Sequence, residues 1–240
     1  MLIHFCVFLQ ISISCGQSEA RRDFMQIAII GSGKVGSAIA HSLSGKGHVV
    51  ALGVRDPMAA KVAAIADATG ATVADPTTAA QGADIVILAL PWGAAAAAVA
   101  TLGDLRGKIV IDCMNPLGMV DGALALVLGH TSSGGETVQD WLPEARVVKT
   151  LNQVGAEIMA DTAALPGRPV MFMAGNDPAA KEAVAQLLAD LGFEPLDAGD
   201  ITKARLLEPF GMLWINQAMA RGKGRAWAFA AVDRHGAQGV

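Results

Sequence analysis

Residues 27–36 read IAIIGSGKVG, a short apolar run that breaks into Gly31-x-Gly33-x-x-Gly36 and continues with small and apolar residues. Each glycine has a separate physical task. Gly31 permits the tight turn out of a buried strand, Gly33 removes a side chain where a pyrophosphate approaches the backbone, and Gly36 lets the following helix pack against the strand. The free N–H groups and positive end of that helix then face the phosphates. Glycine makes up 27 of 240 residues, so the triplet alone is a weak signal; its place between a strand and a helix points to a dinucleotide.

Outward from this motif, apolar runs alternate with helical patterns, which predicts βαβ units on a mostly parallel sheet. The expected fold class is α/β, doubly wound, of Rossmann type, with a small α/β cap. Strands are expected at 26–30, 48–54, 71–74, 83–90, 108–113 and 146–151. Helices are expected at 34–43, from Asp56-Pro57 to Gly70 with Asp56 as N-cap, and at 93–102. The segment 131–136 (TSSGGE) is expected to loop into a short helix ending near Leu142. The grammar then repeats: a strand at 169–174, a helix capped by Asp177-Pro178 and ended by Gly192, and a strand at 193–196. An amphipathic helix over 201–220 follows, and the basic, aromatic tail RGKGRAWAFA is expected to fold back on the body. The expected division is a dinucleotide-binding part over 25–150 and a smaller acceptor-site region over 151–240.

Residues 1–24 are apolar but have no Lys/Arg-rich leader pattern, and their apolar run is too short to span a bilayer. They read as a doubtful extension, with Met25 as the expected start directly before the first strand. Hydrophobic residues make up 52% and charged residues 17%, the composition of a packed domain and not a disordered one. A net charge of −4 offers no basic surface for nucleic acid. Three cysteines without C-x-x-C spacing argue against a disulfide framework and a zinc site, so no metal is expected and the expected compartment is the cytoplasm.

The end of the second strand separates the two nicotinamide dinucleotides. An acid there, about 20 residues past the glycines, holds a ribose 2′-OH, whereas a nearby arginine accommodates a 2′-phosphate. Here the strand ends LGVRD: Gly53 stands at the acid's position and Arg55 follows two residues later. The planar guanidinium suits a phosphate, so NADP is expected. The alternative assigns the ribose contact to Asp56 and leaves Arg55 solvated, with Lys61 a surface lysine.

LPW at 90–92, MNPL at 114–117, VVKTLN at 147–152, AGND at 174–177, PLDAG at 195–199 and ARLLEP at 204–209 follow in order. With the glycine motif and GVRD, the chain resembles the NADPH-dependent coenzyme F420 reductase family and is similar to the reductase domain of the STEAP metalloreductases. The resemblance places Ser32, Lys34 and Val35 in the phosphate loop beside Gly31, Gly33 and Gly36. It places Val54 and Arg55 at the 2′-phosphate, with valine where family members often carry a hydroxyl. Leu90, Pro91 and Trp92 fall where the fourth strand meets the cofactor, and Asn115 at the end of the fifth. Asn152, Val154 and Ala156 match the segment carrying the nicotinamide and the acceptor, where Gln153 and Gly155 depart from the family pattern. Trp92 also reads as a core aromatic, Asn115 as a turn residue, and Arg205 with Glu208 as an intrahelical pair. Met212, Leu213 and Trp214 resemble the wall of the acceptor site, and as a helical stripe they read as core or dimer packing.

The implied activity is hydride transfer between NADPH and a ring-type acceptor, coenzyme F420 or a flavin, in a possible homodimer. No His or Lys constellation marks a general acid or base, so no catalytic residue is assigned; His4, His41, His48, His130 and His235 read as structural or solvated. Two competing readings are a reductase of a small imine or ketone and a non-catalytic NADP-binding redox sensor.

Overall fold

Short runs that are apolar at every position, without alternation, belong to strands covered on both faces. The computed structural model describes residues 24–232 and uses such runs as the middle of one sheet. In chain order the strands are β1 Gln26–Ile30, β2 Val49–Gly53, β3 Thr72–Ala74, β4 Ile85–Leu88, β5 Ile109–Asp112, β6 Leu117–Val120, β7 Ala123–Leu126, β8 Arg146–Lys149, β9 Val170–Gly175 and β10 Glu194–Gly199. Eight of them form a sheet ordered β10-β9-β8-β5-β4-β1-β2-β3, while β6 and β7 make a separate antiparallel hairpin. Within the sheet only the β8–β9 pair is antiparallel, so the mostly parallel α/β expectation is borne out. Across residue 150 the same sheet continues through β9 and β10.

The helices are α1 Lys34–Leu43, α2 Ala60–Thr69, α3 Pro76–Gln81, α4 Trp92–Val99, α5 Gly134–Trp141, α6 Ala156–Ala160, α7 Pro178–Asp190 and α8 Ala204–Ile215. Alternation along β1 sorts them into two layers. Ile27 and Ile29 join Ile39 and Leu43 of α1, Val62 of α2, Ile158 of α6 and Leu188 of α7. Ala28 and Ile30 face Ala80 of α3, Ala95 and Val99 of α4, and Val138 of α5. Each large side chain so buried contributes ~1.5–3 kcal/mol, more than a typical helix cap, so the layering and not local propensity fixes the architecture.

One local expectation needs correction, and two elements carry signals that the sequence analysis did not use. The helix expected to start at Asp56-Pro57 starts at Ala60. Asp56 Oδ1 accepts from the Met58 N–H (3.1 Å) and its carbonyl from Ala59, forming a tight turn that leaves Ala59 as the N-cap. The same Asp-Pro signal at Asp75-Pro76 does open a helix, α3, because Asp75 reaches the Thr78 N–H; the sequence reading passed over it. The hairpin was also missed, although Asp121-Gly122 sits at its tip with both residues at positive φ (50° and 79°), the conformation of a tight two-residue turn. By contrast, Asp177 caps α7 as expected and Gly70 ends α2 in the left-handed conformation. The readings of residues 1–23, and of His4 and His235, lie outside the described residues.

The tail packs on the body. The Val170 N–H donates to Phe229 O and Trp214 Nε1 to Trp227 O, both at 3.0 Å, and the Trp214 and Trp227 rings stack at 5.8 Å. Arg225 clasps Glu157 of α6 at 2.7 Å. That hydrogen bond, helped by Lys34 nearby, holds the Glu157 carboxyl below the usual glutamate range. A depressed carboxylate contributes its stabilisation above the unfolded value and loses it as pH falls through the folded one. Tryptophan emission should therefore stay constant through neutral pH and shift in acid, below the ordinary glutamate range, as the tail loosens. In Glu157→Gln the acid step should be missing.

Candidate functional site

The strand order reverses between β1 and β4, and an open parallel sheet offers a crevice beyond the C-terminal ends of such a pair. Gly31 leaves β1 at φ +108°, and a Cβ on it would lie 2.5 Å from the Ala89 carbonyl oxygen beyond β4. Its N–H donates to Gly53 O of β2 (3.0 Å), so the loop is tied to both flanking strands. A Cβ on Gly36 would fall 2.0 Å from Gly31 O, so only glycine lets α1 approach the turn. Gly33 differs: nothing lies within 4 Å of its Cβ position. It is the N-cap of α1, and no side chain caps that helix. The first amides of α1 thus have no side-chain cap, and the positive end of its dipole stands where Gly33 leaves room, an arrangement that suits a cradle for an anion. Around it Ser32 and Val35 are half-buried and Lys34 is exposed.

At the end of β2, a Cβ on Gly53 would lie 2.6 Å from Ile30 Cδ1 and 3.2 Å from Ala79 Cβ. A side chain there would have to displace the end of Ile30 and crowd α3, so the packing disfavours an acid at this position. Val54 is buried in the α1–α2 layer and its N–H is committed to Ala74 O, so of the Val54–Arg55 pair only Arg55 is exposed. Asp56 is occupied by its own turn, and Lys61 is exposed. Beyond β4, Leu90 packs on the α3–α4 layer and the exposed Pro91 caps α4. Trp92 is half-buried, stacks on Trp141 of α5 at 5.6 Å and lies against Gly134, which is the packing reading of that residue.

The ends of β5 and β8 meet through two amides. Asn115 Nδ2 donates to Asn152 O and Asn152 Nδ2 to Asn115 Oδ1, both at 2.9 Å; Asn152 Nδ2 also donates to Leu207 O of α8. Leu151, just before, is held at φ +57°, a conformation that costs a non-glycine residue on the order of 1–3 kcal/mol. Gly211 of α8 packs here, its Cβ position 2.7 Å from Asn152 O. Val154 and Ala156 are buried in the α1 layer. The two departures from the family pattern are explained by packing. Gln153 is buried and holds both the N–H and the carbonyl of Phe172 in β9, while Gly155 makes room for the Trp214 ring 2.7 Å from its Cβ position.

Beneath this edge lies a cluster that the sequence reading missed. Asp112, Lys149 and Glu208 are fully buried. Lys149 Nζ lies 2.9 Å from Asp112 Oδ2 and 3.0 Å from Glu208 Oε1. Glu208 further accepts from the N–H groups of Gly134 and Gly135 at the start of α5. Burial alone would push the Lys149 ammonium down, but Asp112 and Glu208 outweigh it and hold it above the ordinary lysine range. The available signal was a lysine and an aspartate inside strand-like apolar runs, which β5–β8 pairing sets side by side. Arg205 pairs with Glu136 of α5, not with Glu208, which corrects the intrahelical reading. Cys113, adjacent, is pushed up to about 12 by burial and by the Asp112 charge, and stays an inert thiol. His48 is also structural, its Nε2 3.2 Å from Asp190. Met212 is half-buried, Leu213 exposed and Trp214 buried.

Among the described residues there is no cluster of three metal-ligating side chains, and no helix is long and apolar enough to cross a membrane. An open groove of 490 Å³ beside Arg146, Asn176 and Asp177 lies at the opposite, N-terminal end of β8, away from the glycine loop.

The model of the family described as "NADP oxidoreductase coenzyme F420-dependent" matches residues 26–116. The crystal structure of a candidate F420-dependent NADP-reductase from Arthrobacter sp. FB24 is similar at TM-score 0.80 and 36% identity, covering 87% of this chain and 100% of that one. A hypothetical protein from Sinorhizobium meliloti is similar at TM-score 0.65 and 32% identity, covering 74% and 87% of the two chains. Metalloreductase STEAP3 from Rattus norvegicus is 26% identical over 191 residues, 80% of this chain, and the chain spans 37% of that relative's length. The glycine cradle, the exposed arginine after β2 and these relatives agree: the chain belongs to the coenzyme F420-dependent NADP oxidoreductase family.

Proposed function

We propose that this chain transfers hydride between NADPH and a ring-type acceptor, coenzyme F420 or a flavin. The observation that carries the reading is the uncapped start of α1 opening at Gly33, with Arg55 exposed at the end of the neighbouring strand. In this proposal Gly31, Ser32, Gly33, Lys34, Val35 and Gly36 hold the pyrophosphate, and Arg55 takes the 2′-phosphate, with Val54 contributing only backbone. Leu90, Pro91 and Trp92 border the cofactor. Asn115, Asn152, Val154 and Ala156 shape its nicotinamide end, so that residues 25–150 supply most of the cofactor site and 151–240 the acceptor side. When bound, the nicotinamide supplies the hydride, and the chain's own residues supply proximity and orientation.

The polar groups at the reacting edge favour a ring acceptor over an imine or ketone. Asn115 and Asn152 do not titrate and are spent on each other. A carbonyl or imine needs a proton delivered with the hydride, whereas a conjugated ring takes its proton from solvent. Purified protein should oxidise NADPH with a deazaflavin or flavin and not with small ketones or imines. Turnover of a ketone or imine alone would favour that competing reading, and tight NADPH binding without any turnover the redox sensor.

The hairpin and α8 touch through β7, and both carry exposed apolar side chains: the cross-strand pair Met119 and Leu124 on one face of the hairpin, and Leu206 and Leu213, seven residues apart, on α8. This face supports a homodimer built on β6–β7 and α8. Sedimentation should report a dimer that Leu124→Glu with Leu213→Glu converts to monomer; an unaltered dimer would place the interface elsewhere.

The glycines separate packing from binding. Gly36→Ala forces a backbone shift and should lower stability by about 1–3 kcal/mol or more in thermal unfolding. Gly33→Ala meets nothing in the protein, so it should leave Tm unchanged while weakening NADPH. Arg55→Ala should raise the NADPH Kd about ten- to hundredfold, the value of charge-assisted hydrogen bonds, and leave NADH binding nearly unaltered.

A further inference from the structure

Asp112, Lys149 and Glu208 have no part in the cradle, yet they grip the peptide on which the reacting edge is built. The Met114 N–H donates to Asp112 Oδ1 at 2.9 Å, and the Met114 carbonyl accepts from Lys149 Nζ. Both polar atoms of the residue before Asn115 are thus fixed by the ion cluster. Glu208 pins α8 to the start of α5 from the other side. At the preceding residue of α8, Leu207 O receives Asn152 Nδ2, and one turn later Gly211 packs on Asn115 Oδ1 and Asn152 O. The ion cluster and the asparagine pair are consecutive layers of one joint, where α8 meets β5 and β8.

Three buried charges are a poor way to gain stability alone, since well-packed apolar residues of similar volume often do as well or better. What they add is a single geometry, because every carboxylate oxygen of the cluster and the ammonium between them are held by partners in fixed directions. We propose that Asp112, Lys149 and Glu208 are positioning residues for hydride transfer: they lock the Met114–Asn115 peptide and the acceptor-side helix α8 into one register. The proposal rests on the reading that transfer occurs at this edge.

Lys149→Met alone leaves two buried carboxylates facing each other and is expected to unfold the chain. The informative variant is Asp112→Asn with Lys149→Met, which removes one charge of each sign. The Asp112→Asn side chain keeps an oxygen that can accept from the Met114 N–H, and Glu208 keeps its two glycine N–H donors. The readouts are Tm, the NADPH Kd, the ¹⁵N side-chain amide signals of Asn115 and Asn152, and kcat and KM for NADPH-dependent turnover. The expected result is a Tm within about 5 °C of the parent and an NADPH Kd within about threefold. The two amides should move towards free-amide positions, and kcat should fall about tenfold or more with KM little altered. A folded variant with parental amide signals and kcat within about twofold would overturn the proposal and leave the cluster a stabilising device only. If that double variant does not fold, Glu208→Gln, which keeps the side chain's shape, is judged by the same readouts and the same criteria. Absence of turnover in the parent protein would count against the proposed function, and the amide signals would then decide the positioning role independently.

Discussion

The position of the Gly36 Cα against the Gly31 carbonyl sets the rest of the site. With a Cβ position only 2.0 Å from that oxygen, α1 can seat on the turn only if no side chain is present. That approach brings the uncapped amides of α1 level with the ends of β1 and β4 and tethers the loop to β2 through the Gly31–Gly53 hydrogen bond. Strand order supplies the crevice, and the glycine contact supplies the donors that face it. Because the loop touches both neighbouring strands, the end of β2 is fixed relative to it, and with it the exposed Arg55. A motif of three glycines is thus three different constraints: a backbone angle, an empty space and a close contact.

The parts of the fold that were legible in the sequence are those where one local pattern has one solution. Unbroken apolar runs became the central strands, the alternation of β1 sorted the two helix layers, and Asp177-Pro178 capped α7. Where two solutions share a pattern, reading failed. Asp56-Pro57 closed a turn while Asp75-Pro76 opened a helix, and the difference lies in whether the carboxylate reaches two or three residues ahead. The hairpin carried its own signal in Asp121-Gly122, but flanking residues with little charge or alternation hid it.

Within the site, single residues were easier to read than their partners. Arg55 was legible because it stands exposed at the end of β2 and its place can be read without a distant partner. Gln153 and Gly155 looked like departures at an acceptor pocket; the first ties β9 and the second admits Trp214, and both contacts are distant in sequence. The same holds for Lys149, whose partners stand 37 residues before it and far along the chain in α8. An ion cluster assembled from three elements leaves no spacing pattern. What it leaves is a charged residue in an apolar run, which buried strands tolerate only when the charge is answered.

Under the proposed function the site orients two rings and supplies little acid–base chemistry. The most direct measurement is isotope transfer from NADPH carrying deuterium at the nicotinamide C4, with purified protein and a deazaflavin, whose accepting ring carbon retains the label. The account predicts that the deuterium passes to the ring of the reduced acceptor, from one prochiral position only. Deuterium lost to solvent from the deazaflavin reaction, or NADPH left unconsumed with deazaflavin and flavin alike, would contradict it.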